Sequence, residues 1–218
     1  MYIRCIGVNG KIPKQIPESL AAFVIEEKQL SWYDPFLQHN RFCESSAFFH
    51  IWKNPELLND YVGFFHYDML INKVAIEFLE QQIGAIGTEK VLFTNVTLLA
   101  WRELNQVITV QQWNEIVNLY NRIFHTRHSI MDVLHEQMPL YHSFVVHRDT
   151  FQQQMSFVER AIPLLFELIG YDTKHLPFML ERLHGLFLVL KKREGLRWIP
   201  LPGITHLDRL KDSWKGDA

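Results

Sequence analysis

The sequence predicts an α/β fold, with a central mixed, mostly parallel sheet of about six strands flanked by helices. Two observations predict the class. Short β-branched and aromatic runs interleave with longer stretches whose apolar residues recur at helical spacing, the pattern of strands joined by crossover helices. The run Tyr61-Val62-Gly63-Phe64-Phe65-His66 is apolar, aromatic or Gly until its last residue, and reads as a buried strand. A third observation bears on function. That strand ends in His66 and, two residues on, Asp68. If the strand continues, period-2 alternation points both to one side. Polar groups at the C-terminal end of a buried strand are how an open α/β sheet makes a ligand site. The alternative is a core strand that ends at a polar turn.

The bulk numbers bound the answer. At 218 residues the chain makes one ordinary domain spanning 1–218, large enough to bury a substantial core. A content of 48% hydrophobic and 21% charged residues is globular. The net charge of −2 supplies no basic field for nucleic acid. The two cysteines, Cys5 and Cys43, form no Cys-x-x-Cys or zinc pattern. Both lie in apolar company and read as buried thiols, which suits a reducing compartment. Arg4 interrupts the first apolar stretch, so no signal peptide is visible. The apolar run 186–190 is far too short to cross a bilayer. A soluble, cytoplasmic monomer is the expectation. The tail 210–218 lacks a tidy ending, which leaves room for further domains beyond it.

In chain order, residues 2–8 alternate as a first strand and stop at the turn signal Asn9-Gly10. Residues 19–29 read as a short helix with Leu20, Phe23 and Val24 inward, and 30–40 as an aromatic loop. A helix follows Asn40-Arg41, with Ala47, Phe48, Ile51 and Trp52 at helical spacing. Arg41 is a natural phosphate partner because its planar fork donates in pairs, beside the N–H groups of a helix start. Glu44 suits the first turn through the helix dipole alone. After Asp68, residues 73–82 predict a helix, 84–87 a turn, and 91–95 another buried strand. Residues 111–124 form an amphipathic helix, followed by His125, His128, His135 and His142. His-x-x-His on a helix offers zinc ligands, or simply a polar surface. Residues 141–146 predict a strand with His142 and His147 at its ends, and the helix from Arg148 to about Leu168 is kinked or interrupted at Pro163. Residues 177–190 form a helix with Pro in its first turn, carrying Glu181 and Arg182, which also read as a plain surface pair. Residues 197–199 are a last strand, followed by a loop to His206.

The stretch 40–69 carries a resemblance: Glu44 near the helix start, Trp52-Lys53-Asn54, then Tyr61-x-Gly63-x-x-His66-Tyr67. It resembles the nucleotide-sugar glycosyltransferases of the GT-A fold, a Rossmann-related fold in which a strand ends in an Asp-x-Asp-type motif. More closely, it is similar to a subgroup found in bacterial polysaccharide synthesis and in the N-terminal domain of capsid-glycan enzymes of large chlorella-infecting viruses. The match is strongest over 40–69 and holds in order to about His206. The departure is His66, which stands where the first Asp would be.

The resemblance implies transfer of a sugar from a UDP-sugar to a glycan acceptor, with Mn2+ or Mg2+ as cofactor. It implies Gly7, Val8 and Asn9 as uracil contacts; Arg41, Glu44, His66 and Asp68 as donor contacts; Asp68, His66 and His206 as metal ligands; and Glu181 with Asp68 as catalytic groups. A cation bridging the diphosphate would stabilise the charge that builds on it as the sugar departs. Two rival classes stand beside this one: a metal-dependent hydrolase using the histidines from His125 to His147, and a non-catalytic binding module.

Overall fold

The computed structural model describes residues 1–8, 21–25, 41–95 and 97–207. The chain opens with strands β1 (Tyr2–Val8) and β2 (Ala21–Ile25), then helix α1 (Ser45–Lys53). Strands β3 (Tyr61–His66) and β4 (Met69–Ile71) precede helix α2 (Lys73–Ile86). Next come β5 (Val91–Thr94), β6 (Thr97–Leu99), α3 (Ala100–Leu104), α4 (Val110–Phe124) and α5 (Met131–Leu134). The remainder is β7 (Gln137–Pro139), β8 (Phe144–His147), α6 (Arg148–Leu168), α7 (Leu176–Arg193), β9 (Arg197–Pro200) and β10 (Ile204–His206).

Six strands form the central sheet in the order β2-β1-β3-β8-β5-β9. β1 runs parallel to β2 and β3, and β5 parallel to β9, while β8 runs against both β3 and β5. The sheet is therefore mixed. The pairs β4–β10 and β6–β7 make two small antiparallel ribbons.

Alternation along the strands sorts the core into two layers. Val62 and Phe64 of β3, Phe144 and Val146 of β8, and Leu92 of β5 join the larger cluster with α1, α4, α6 and α7. Tyr61, Phe65, Val145, Val91 and Phe93 face the other way, onto α2. Helices cover both faces, which is why the strands read as near-continuous apolar runs. Phe48 of α1 stacks on Phe64 at 3.9 Å between centroids, fixing α1 across β3. Gly63 lets β3 lie tight against its neighbours: a Cβ there would meet Val145 Cγ2 at 2.7 Å and Ile3 Cγ1 at 3.2 Å.

Several expectations are corrected. Residues 21–25 are a strand beside β1, not part of a helix over 19–29. Leu20, Phe23 and Val24 fit a helical stripe, but Val24 and Ile25 are β-branched and parallel pairing with β1 wins. The predicted turn at 84–87 is the end of α2, which stops only at Gly87 with φ 60°. His125 and His128 lie in the loop after α4 rather than on a helix. The strand expected over 141–146 starts at Phe144, because Tyr141 and His142 both turn left-handed. Helix α6 runs through Pro163 without ending. Cys43 is half-buried rather than buried. Asn9, Asn40, the aromatic loop at 30–40 and the tail at 210–218 lie outside the described residues. No helix among the described residues is long and apolar enough to cross a membrane.

Candidate active site

The site lies at the C-terminal end of β3. His66 is two residues beyond Phe64 and shares its face, so it looks towards the start of α1. There Glu44, the N-cap residue of α1, meets it, with Oε1 2.9 Å from His66 Nε2. The strand does not continue to Asp68, contrary to the simplest expectation. It ends at His66, and Tyr67 and Asp68 form a turn. That turn still returns the Asp68 carboxylate onto His66 Nδ1.

β10 completes the arrangement. Its antiparallel pairing with β4 sets His206 opposite Met69, and Leu207 N–H donates to Asp68 C=O at 3.0 Å. His206 is buried, with Nε2 3.2 Å from Asp68 Oδ2. One carboxylate is thus held from both sides by two imidazoles, one delivered by β3 of the central sheet and the other by the β4–β10 ribbon.

Glu181 enters from α7. Its Oε1 accepts the Tyr141 backbone N–H, and Oε2 lies 3.5 Å from Arg182 Nη1. His142 Nε2 lies 3.1 Å from Ser45 Oγ, and Ser143 Oγ accepts from His66 N–H at 3.1 Å. The Tyr141 ring stacks on His206 at 4.1 Å.

The electrostatics follow from this geometry. Burial by itself would lower the His66 pKa, but hydrogen bonds to Asp68 and Glu44 and their charges hold it at about 9. Burial would raise Asp68, yet His206 and His66 keep its carboxyl far below the usual range. Glu44 is likewise depressed: burial works against its charge, and its hydrogen bond to His66, with the nearby His142, outweighs that. Glu181 goes the other way: burial raises it, and neither Arg182 nor the Tyr141 N–H reverses the rise. The site therefore holds two committed anions and one carboxyl nearer to neutrality.

The donor set suits a divalent cation. One ligand atom from each of His66, Asp68 and His206 lies within 4.8 Å of the others, and among the described residues this is the only such group. One hard oxygen with two imidazole nitrogens favours manganese over magnesium, which prefers all-oxygen coordination. Glu44 on the far nitrogen of His66 is the carboxylate–histidine arrangement that orients a metal-binding imidazole. A cation there would take the place of the His66 proton.

Other predicted residues fall as follows. Gly7 and Val8 end β1 at the same edge as His66, since Ile6 pairs with His66 in parallel register. Arg41 is exposed, with φ 57°, in the short loop before Glu44. The histidines of the hydrolase reading do not converge. His125 ends α4, His128 pairs with Glu194 at 3.2 Å, His135 is exposed, and His147 caps α6 by accepting Asp149 N–H at 3.2 Å. Sequence reading missed Ser45, Tyr141 and Ser143. No signal marks them, because Tyr and His at a left-handed turn stand where Gly or Asn is expected.

No protein-family model matches the chain, and no curated protein matches it. Among solved structures it is similar to the apo structure of WbbM, a bifunctional glycosyltransferase, with a TM-score of 0.61 and 14% identity over 95% of this chain. At that identity the likeness shows a shared fold. The chain spans 45% of the WbbM chain, so the likeness concerns one portion of a larger protein.

Proposed function

We propose that the chain is a metal-dependent glycosyltransferase domain that moves a sugar from a UDP-sugar to a glycan acceptor, in surface or capsid glycan synthesis. The observation that carries this reading is the convergence of His66, Asp68 and His206 at the end of the central strand, on a fold shared with a glycosyltransferase. His66, Asp68 and His206 would hold Mn2+, which when bound supplies Lewis-acid stabilisation of the leaving diphosphate.

The chain's own residues have separable tasks. Glu44 orients His66 and keeps its Nδ1 turned to Asp68. Gly7 and Val8, at the end of β1, would lie against the uracil; Asn9 is outside the described residues. Arg41, exposed beside the start of α1, is placed to meet a phosphate. Glu181, half-buried and with its proton affinity raised, faces the acceptor side, where it orients the acceptor hydroxyl and its proton. A retaining outcome suits this set, because the leaving phosphate can itself take that proton. Nothing in the arrangement of His125, His128, His135 and His147 favours the hydrolase, and His142 is buried against Ser45, with Nε2 3.1 Å from its Oγ.

The test is a thermal-shift comparison of UDP, GDP, CMP and ADP, each with and without Mn2+, since a ligand that binds the native state raises its melting temperature. The largest shift is expected for UDP with Mn2+. An equal or larger shift with GDP would sink the uridine assignment. No shift with any nucleotide would favour a binding module.

A further inference from the structure

The tripeptide Tyr141-His142-Ser143 touches four elements of the site. Tyr141 N–H holds Glu181, and its ring lies over His206 at 4.1 Å with 28° between planes. His142 Nε2 lies 3.1 Å from Ser45 Oγ, on the residue after Glu44. Ser143 Oγ accepts from His66 N–H at 3.1 Å and donates to Tyr141 C=O at 2.7 Å. Four chain segments distant in sequence thus meet on three consecutive residues.

The backbone there is unusual. Tyr141 and His142 have φ of 58° and 46°, two successive non-glycine residues in the left-handed region. Such a conformation brings Cβ close to the following carbonyl oxygen and is unfavourable for an L-amino acid. Two other non-glycine residues of this kind, His125 and Tyr171, follow helix ends, where left-handed residues are ordinary. Arg41 and Cys43, like Tyr141 and His142, flank the site instead. Strain kept at a functional site persists only where surrounding contacts over-determine it. Those contacts are the ones named above.

We propose that Tyr141, His142 and Ser143 act as one positioning clasp, which sets His206, His66 and the start of α1 on the cation side and Glu181 on the acceptor side at once. The Tyr141 ring fixes the plane of His206, and the same residue's N–H fixes the Glu181 carboxylate. Cation binding at His206 and the placement of Glu181 are therefore mechanically linked. The cation part of this inference rests on the function proposed above.

The test uses the full chain with Tyr141→Gly, Tyr141→Phe and Ser143→Ala, and has two readouts. The first is the 15N imidazole spectrum of the metal-free protein; the second is Mn2+ affinity by titration calorimetry. Glycine relieves the left-handed strain but gives up the ring's packing against both core layers, so Tyr141→Gly should fold with a lowered melting temperature. It should shift the His206 ring resonances and weaken Mn2+ about tenfold. Tyr141→Phe, which keeps the ring, should restore both. Ser143→Ala should move the His66 resonances and also weaken Mn2+, which carries the test should Tyr141→Gly not fold. Unchanged imidazole spectra in Tyr141→Gly and Ser143→Ala would overturn the clasp. A wild-type chain that binds no Mn2+ but whose spectra move as described would leave the clasp standing and defeat the metal-dependent function instead.

Discussion

Glu181 and Arg182 are neighbours on α7, joined by a 3.5 Å contact, yet they belong to two different kinds of buried charge. Arg182 is completed on its own side. Its Nε donates to Glu103 C=O at 2.8 Å, Nη2 to Glu103 Oε2 at 2.9 Å and to Gln106 Oε1 at 2.5 Å, and Nη1 to Phe178 C=O at 3.1 Å. Charge and hydrogen bonds both close there. The site around Glu181 does not close. Two carboxylates, Glu44 and Asp68, share one raised histidine, His66, with His206 pressed against Asp68, while Glu181 rests on the Tyr141 N–H and the edge of Arg182. A closed cluster fixes α7 to α3. The open one leaves His66, Asp68 and His206 as a donor set that suits a divalent cation.

Breaking the closed cluster should give the largest effect. Arg182→Met leaves the Glu103 carboxylate buried and uncompensated, which should cost about 3–5 kcal/mol of stability in urea unfolding. A loss below 1 kcal/mol would mean that the Arg182 cluster is not the structural one.

Glu181→Gln should behave in the opposite way. Burial raises the Glu181 pKa, so its charge opposes folding as pH rises from the ordinary carboxyl range through the raised value. Gln removes that opposition and can still accept the Tyr141 N–H. The variant should melt at or above the wild-type temperature while sugar transfer falls by about 10²-fold, with Mn2+ and UDP binding kept. Unchanged turnover would return Glu181 to a structural role.

How far these two neighbours could be told apart from sequence is instructive. On one helix, adjacent residues point about 100° apart, and sequence showed an acid and a base that could as well form a surface pair. Tertiary packing decided otherwise: α3 reaches Arg182, and the Tyr141 turn reaches Glu181. The central strand was legible because its composition and its polar end are local. His206 was legible in order alone, since β4 and β10 are three residues each, too short for any period to show. β2 was misread because residues 21–25 are apolar throughout and carry no period that separates a strand from a helical turn, and pairing with β1 is non-local. The left-handed pair at 141–142 had no local mark at all.

A smaller effect concerns the layer behind the site. His142 and His184 are both buried, with ring centroids 5.3 Å apart, and among the described residues neither ring nitrogen of His184 has a hydrogen-bond partner. Burial lowers each pKa from the ordinary 6.5 to about 3, and the His184 ring further disfavours charge on His142. A histidine depressed in the folded state is protonated first in the unfolded chain, so stability should fall as pH drops from about 6.5 towards 3. The slope is at most about 1.4 kcal/mol per pH unit for each ring. His184→Phe, beside Phe48 at 4.7 Å, should reduce that slope in urea titrations between pH 7 and 5. An unaltered slope would show that His184 is not held neutral.

The central claim, that Asp68 anchors a cation which in turn anchors the donor diphosphate, is tested most directly by calorimetric titration of UDP into wild-type and Asp68→Asn protein with and without Mn2+. Asn matches the size of Asp68 and keeps an oxygen but loses the charge a hard cation requires. The account predicts that wild-type binds UDP in a Mn2+-dependent way, and that folded Asp68→Asn loses that dependence, with affinity down by roughly 10²-fold or more, the scale of a bridging metal ion's contribution. A folded Asp68→Asn protein that binds UDP with wild-type affinity and wild-type Mn2+ dependence would contradict it.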